Sequence, residues 1–522
     1  MARDRTRLAL CMAFAGLSAA GFLLFSERTS GMGFPLDDAW IHQTYARNLV
    51  KYGQWAFIPG HPSAGSTSPL WTLLSAMGYF LGVDPRAWSY LLGGVALGIT
   101  AWVAGAWTRR NLLHRSWSGW GWACSVLVLV EWHMVWAALS GMETILLACL
   151  ALIVLDAVDR EQRKPFLIGA LIGLGVWVRP DALTLVLPAA LAIGLRRRSL
   201  PRGAGKDFAV VAAGIAVFLL PYLAFNFALS GALWPSTFYA KQAEYSILRS
   251  GSLALRFLRL LIPPAAGAGV VLLPGIILHA AALLRAREWW RLTPLVWAIA
   301  FLGLYAVRLP VDYQHGRYVM PVIPIMLGFG LAGYAGWAGM PALRRSHWVL
   351  TRAWGLSVAA VGAAFWLAGG QAYARDVGTI ETEMVTSARW VAANTEPQAL
   401  VAAHDIGALG YFAERPLLDL AGLVSPEVIP FLTDEPRLAA YLDERGADYL
   451  VTFPSTYPLL SGLGEVLFVT RGEFSPMQGG DNMVVYRWRT RRAFAPLAPC
   501  MIYCSQPTFG RATYGDDPTH HR

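Results

Sequence analysis

Leu36-Asp37-Asp38-Ala39-Trp40-Ile41-His42-Gln43-Thr44-Tyr45-Ala46-Arg47-Asn48-Leu49-Val50 is followed by a Gly/Pro/Ser loop over residues 53–69. Trp40, Ile41, Tyr45, Leu49 and Val50 recur at helical spacing, so the stretch predicts a helix opened by two adjacent carboxylates. Asp37 and Asp38 then lie against the positive end of the helix dipole. Capping alone accounts for such a pair, and any further role depends on where the chain places it.

The rest of the chain is too apolar for a soluble protein. Of 522 residues, 56% are hydrophobic and 15% charged, against about 25% charge in soluble domains. With a mean hydropathy of +0.44 and repeated long apolar runs, the fold class is an α-helical polytopic membrane protein with one extra-membrane domain. The net charge of +10 fits basic residues anchoring loops to a membrane, and no nucleic-acid signature accompanies it. Cys11, Cys124 and Cys149 lie in apolar segments and read as small core residues, while Cys500 and Cys504 stand in a tail where they can pair outside the cell.

Arg3, Arg5 and Arg7 precede the apolar run 8–25, which reads as an uncleaved anchor with its N-terminus inside, in preference to a signal peptide. Residues 70–81 are too short to span and are expected at the interface. Spans follow at 87–107, 119–139 and 142–157. Residues 164–196 have basic clusters at both ends and Val178-Arg179-Pro180-Asp181 in the middle, so they predict a hairpin with Arg179 and Asp181 at its outward tip. Spans at 208–229, 265–284, 292–307, 318–338 and 349–369 bring the expected number to eleven. Basic residues fall on alternate loops, which places the first loop (27–86) and the C-terminal region on the outer face of the cytoplasmic membrane.

From residue 371 apolar runs shrink to strand length. Strands are expected at 399–403, 417–420, 449–452, 465–470 and 483–486, with helices at 379–393 and 436–445, which makes residues 371–490 a small extracytoplasmic α/β domain. Residues 491–522 lose all periodicity and predict a disordered tail.

On the outer side the candidate cavity residues are Asp37, Asp38 and Glu143 as carboxylates, with Arg179, Lys241 and Arg317 as cations. Lys241 lies in Ser236-Thr237-Phe238-Tyr239-Ala240-Lys241, and Arg317 in Asp312-Tyr313-Gln314-His315-Gly316-Arg317-Tyr318. Residues 253–261 read as an amphipathic interfacial helix. Lys241 and Arg317 have a plainer role available, snorkelling to lipid headgroups. Arg179 lies below the surface, where an ionisable group needs a partner or a purpose, and Asp181 is a ready partner. His61 and the pair His404-Asp405 are weaker candidates for ligand contacts.

The ordered set Asp37-Asp38-Ala39-Trp40-Ile41-His42, Tyr45-Ala46-Arg47-Asn48-Leu49, Pro59-Gly60, Gly65-Ser66-Thr67-Ser68-Pro69-Leu70-Trp71, Val178-Arg179-Pro180-Asp181, Ser236 to Lys241 and Gly316 to Pro321 resembles polytopic GT-C fold glycosyltransferases, nearest the bacterial arabinofuranosyltransferase-like branch. The resemblance implies inverting transfer of a sugar from a polyprenyl-phosphate donor to a glycan, lipid or protein acceptor. It implies an Asp of the first outer loop as base, and neither the family nor the spacing settles which; position at the helix start gives Asp37 a slight preference over Asp38. Arg179, Lys241 and Arg317, the unexplained cations on the outward side, are expected on the donor phosphate. His42, Tyr45, Arg47, His61, Glu143, Asp181, Tyr239 and His315 are the further candidates for lining the substrate cavity, and a divalent cation on the second Asp is an option. Ile58 and His61 stand where relatives often carry Asn and Glu. A lipid-sugar flippase and a noncatalytic assembly protein are the competing functions. The C-terminal domain is expected to cover the cavity mouth.

Overall fold

The computed structural model describes residues 2–112, 119–160, 164–196, 204–340 and 345–488. The expected Cys500–Cys504 pair and the tail 491–522 lie outside these residues, as do the loop charges Arg115, Arg163, Arg197, Arg198, Arg202 and Arg344.

In lipid, backbone groups bond only to one another, so the apolar runs become helices. α1 (Ala2–Thr29) leads to the first loop, which folds as α2 (Asp38–Tyr52), a hairpin of β1 (Ala56–Ile58) and β2 (His61–Pro62), and α3 (Pro69–Phe80). α4 (Pro85–Asn111) is followed by α5 (Trp120–Val130) and α6 (Trp132–Leu139), bent by 55° to each other, and by α7 (Thr144–Asp159). α8 (Pro165–Val178) and α9 (Val186–Arg196) flank a 3-10 turn, Pro180–Leu185. Then come α10 (Ala204–Ser230), α11 (Ser236–Glu244), α12 (Leu253–Ala265), α13 (Ala268–Arg285) and α14 (Thr293–Arg308). A short turn α15 (Tyr313–Gly316), α16 (Ile323–Ala338) and α17 (Arg345–Thr379) complete the bundle.

This is a multi-pass membrane protein. Among the described residues seven helices are long and apolar enough to cross a membrane, or eight if the bent α5–α6 pair is one span. Each of the eleven expected segments is helical. However, α7, α8 and α9 have 16, 14 and 11 residues, too few at 1.5 Å each for a core of about 30 Å. The first segment is built into the bundle, with Cys11, Ala15 and Phe22 buried. Cys124 and Cys149 are buried free thiols, as their apolar setting suggests. α13 and α16 meet backbone to backbone at Gly275 and Gly333, where a Cβ on either would collide with the other helix. α3 leaves Leu73, Met77 and Phe80 exposed, and α12 leaves Leu253, Leu255, Leu258 and Ile262 exposed, as suits helices lying at a lipid surface.

The boundary expected at 371 falls inside a helix. α17 runs on through a π-helical stretch (Ile380–Val385) into α18 (Thr386–Asn394), a 50-residue stem of about 75 Å. Beyond it β3 (Val401–Ala403), β4 (Leu417–Asp419), β5 (Tyr449–Thr452), β6 (Glu465–Val469) and β7 (Val484–Arg487) form one sheet in the order β4-β3-β5-β7-β6. β3 is parallel to both β4 and β5, and β7 is antiparallel to β5 and β6.

Strand alternation decides what each face packs on. Val401, Ala403, Val451 and Val485 join the same core as Trp40, Tyr45 and the bundle helices, while Ala402, Leu450, Val484 and Tyr486 build a second core with α19 (Glu435–Arg445). The π-helical Glu383 is buried and accepts bonds from Thr470, from the Met483 N–H (2.8 Å) and from Asn482 (3.0 Å), which pins the stem to the sheet. The C-terminal region is thus fused to the bundle through α2.

Candidate active site

α2, the α8–α9 break, α11, α14 and the turn before α16 enclose a cavity of about 460 Å³. Asp38, His42, Glu143, Arg179, Asp181, Lys241 and Arg317 all line it, brought from five separate stretches of chain. One wall is apolar, with Trp234, Phe238, Leu304 and Leu309, and Leu423 of the C-terminal region closes one side.

The first stretch splits the Asp pair. Asp37 makes no capping bond to its own helix. Its carboxylate instead accepts N–H bonds from Gly407 (2.7 Å) and Ala408 (2.8 Å), and a Cβ at Gly407 would collide with the Asp37 carbonyl. Burial, reinforced by the nearby charge of Asp405, pushes Asp37 up to about 7 even though those N–H bonds favour its charged form. Asp37, the carboxylate preferred from the sequence, does not line the cavity, whereas Asp38 does. Asp38 Oδ2 accepts from Lys241 Nζ at 3.1 Å and from Arg317 Nη2. Burial alone would raise its pKa, but these two cations hold it well below the usual carboxylate range, and Asp38 in turn raises that of Lys241.

Local sequence explains how each cation is aimed. Pro180 bars helical geometry at the residue before it, so Arg179 is extended (φ −159°) and leaves the helix axis. Its Nε donates to Asp181 (2.9 Å), Nη1 to Glu143 (3.3 Å) and Nη2 to the Tyr305 hydroxyl (3.0 Å). α11 is tethered by the Ser236 N–H to the Ala64 carbonyl (3.1 Å). Ahead of Arg317, Gln314 and His315 adopt left-handed φ of 53° and 58°. That strained turn is held by His315 Nε2 on Asp376 (2.7 Å) and by packing of the ring against Trp132 and Trp136. Arg317 is 3% exposed, and its Nε and Nη1 have no hydrogen-bond partner among the described residues.

The remaining candidates separate into lining and supporting residues. His42 Nδ1 meets the Thr72 hydroxyl (3.0 Å) and its Nε2 lies 3.4 Å from Glu143 Oε2. Tyr45, expected in the cavity, lies behind it: its hydroxyl bonds Ser63 Oγ (2.6 Å) and accepts from the Gly65 N–H (3.0 Å), fixing the loop that carries Thr67. Arg47 docks the C-terminal region, donating to the Tyr411 (2.7 Å) and Gly410 (3.2 Å) carbonyls and to Glu414 (2.8 Å). His61 is exposed on the β1–β2 hairpin, Tyr239 is exposed outside the lining, and His315 supports the turn. His404 joins Asp405 (3.4 Å) to Glu244 of α11 (3.5 Å), which raises the pKa of the imidazole despite its burial.

Tyr305 and Tyr318 were not singled out from the sequence. Tyr305 donates to Asp181, and the Tyr318 ring has Arg179 and Arg317 5.0 Å and Lys241 6.0 Å from its centroid. The Tyr318 position within the Gly316-Arg317-Tyr318 segment was its one visible signal. Among the described residues no group of three or more His, Cys, Asp or Glu is arranged to hold a metal. Asp38 faces two cations, a poor fit to the divalent ion considered for it.

A bundle in which α2 delivers a carboxylate into a cavity that the C-terminal region closes on one side matches known structures over nearly its whole length. This is the GT-C fold. ArnT from Cupriavidus metallidurans bound to undecaprenyl phosphate superposes with a TM-score of 0.59 at 16% identity, covering 91% of this chain and 97% of that one. The archaeal oligosaccharyltransferase AglB from Archaeoglobus fulgidus, in complex with an inhibitory peptide and a dolichol-phosphate, gives 0.58 at 12% identity, covering 94% of this chain and 75% of that one. Residues 372–491 match a family model described as a domain of unknown function, DUF8728. No curated protein matches the chain by sequence. At these identities the GT-C likeness is one of architecture.

Proposed function

We propose that the protein is an inverting glycosyltransferase that takes a sugar from a polyprenyl-phosphate donor and passes it to a hydroxyl of an envelope glycan, lipid or protein at the outer face of the cytoplasmic membrane. The observation that carries this is Arg317: a buried guanidinium beside Lys241, with two nitrogens, Nε and Nη1, unpartnered among the described residues, in a cavity with an apolar wall. Such donors suit a phosphate whose lipid tail lies along Trp234, Phe238 and Leu304. The lipid phosphates named with ArnT and AglB are consistent with a lipid-linked donor in this fold.

Asp38 is assigned as the base. In the resting site its low pKa makes it a weak proton acceptor. A donor phosphate that engages Lys241 and Arg317 draws their charge away from Asp38 and strengthens it as a base when the substrate is in place. The acceptor oxygen attacks the anomeric carbon from the face opposite the phosphate and its proton passes to Asp38. The bond from the anomeric carbon to the phosphate oxygen breaks, and polyprenyl phosphate leaves with the electron pair. Lys241 and Arg317 stabilise the charge that grows on the leaving oxygen, more strongly in a low-dielectric site than in water.

The test offers purified full-length protein a panel of pentosyl and hexosyl polyprenyl phosphates with an envelope extract as acceptor source. Protein-dependent transfer that Asp38→Asn abolishes while donor binding persists is the expected result. Donor binding with no transfer by the wild type from any donor, or equal transfer by the variant, refutes the assignment.

A further inference from the structure

Apart from the exposed Arg308, which donates to Gln242 Oε1 (3.2 Å), the charges of the cavity are segregated. At one end a single carboxylate, Asp38, faces two cations, Lys241 and Arg317. At the other a single cation, Arg179, is shared by two carboxylates, Glu143 and Asp181. The Tyr318 ring stands between, with the guanidinium carbons of Arg179 and Arg317 each 5.0 Å from its centroid.

The acidic end also has unspent bonding capacity. Glu143 is 1% exposed; Oε1 accepts from Arg179, while among the described residues Oε2 makes no hydrogen bond and has only the long approach of His42 Nε2 at 3.4 Å. His42 is held in place by the Thr72 and Ser66 hydroxyls. Thr237 Oγ1, on the cavity wall one helical turn before Lys241, is buried without a hydrogen-bond partner among the described residues. These are hydrogen-bonding groups at fixed positions in a space of about 460 Å³, small enough for one sugar and its phosphate.

Resting on the glycosyltransferase reading, we infer that the Glu143–Asp181 end is the glycosyl subsite and that it selects a sugar without an acidic group. The phosphate goes to the end with excess positive charge. The ring then lies against Glu143, whose Oε2 takes one of its hydroxyls. A sugar bearing a carboxylate brings a third anion to one guanidinium in a low-dielectric pocket and is rejected by like-charge repulsion. Arg179 positions Glu143 and Asp181 and does not itself take the phosphate, which departs from the role the sequence suggested for it.

The experiment measures affinities of the full-length protein for undecaprenyl phosphate alone, for the same lipid carrying neutral pentoses and hexoses, and for the uronosyl counterparts of those hexoses. At least one neutral sugar is expected to bind about ten-fold tighter than the bare lipid phosphate, with every uronosyl lipid weaker than its neutral counterpart. Glu143→Gln is expected to erase the gain from the sugar while leaving bare-lipid affinity unchanged. The inference is overturned if uronosyl and neutral lipids bind alike, if no sugar alters affinity, or if Glu143→Gln preserves the ratio. The wild-type comparison decides by itself should that variant fail to fold. Absence of binding to the bare lipid phosphate refutes the proposed function instead, and this inference with it.

Discussion

The two adjacent aspartates are predicted to fail in different ways when substituted. Asp37→Ala strips the acceptor from two buried N–H groups, those of Gly407 and Ala408. Each buried unsatisfied donor costs about 1–3 kcal/mol, so the docking of the C-terminal region loses roughly 2–6 kcal/mol. Asp38→Asn leaves that docking intact, because Asp38 bonds only Lys241 and Arg317 on the cavity side. It removes a general base instead, at a cost of about 10² to 10⁴ in turnover, or about 3 to 5 kcal/mol of barrier. The assay pairs unfolding midpoints and limited proteolysis with initial rates for both variants. Full stability with lost turnover in Asp37→Ala, together with near-normal turnover in Asp38→Asn, would reverse the assignment.

Arg317→Ala and Lys241→Ala are each expected to weaken polyprenyl phosphate binding by one to two powers of ten, the loss of a charged hydrogen bond worth about 1.5–3 kcal/mol; unchanged affinity in both removes the phosphate site. Gly407→Ala should loosen the cap much as Asp37→Ala does, since the added Cβ meets the Asp37 carbonyl, and proteolysis of the native protein reads this directly. The folded Asp37 carboxyl, raised to about 7 from 3.8, binds its proton more tightly than in the unfolded chain, so its contribution to stability falls as pH rises from about 4 to about 7 and is level above. Asp37→Asn should flatten that part of the stability profile, and a slope identical to wild type would exclude Asp37 as its source. For topology, with Cys500 and Cys504 replaced by serine, cysteines introduced at His61 and Glu444 should label from outside and one at Ala286 should not; the reverse pattern would invert the protein.

Local pattern carried the secondary structure a long way. Helical spacing from Trp40 to Val50 gave α2, and alternation in the C-terminal region located β3 to β7, because both periods are written in side-chain polarity. Pro180 after Arg179 announced the break that turns a guanidinium into the cavity. The carboxylates and cations of the site were visible too, since charge is conspicuous in apolar sequence; six of them line one cavity.

Which aspartate faces that cavity was not visible, because adjacent residues at a helix start differ only in direction, and direction is set by what packs there. Gly407 and Ala408, some 370 positions away, take Asp37 and leave Asp38 to Lys241 and Arg317. Tyr45, Arg47 and His315 looked like cavity residues and proved to hold its walls, a distinction made by partners such as Ser63, Tyr411 and Asp376 that no local window contains. The sequence by itself determined the helices, the strands and the inventory of charge. Only tertiary contact decided how the charge is divided, two cations on Asp38 and two carboxylates on Arg179, because ion pairing between distant segments depends on distance in space and leaves no period in the chain.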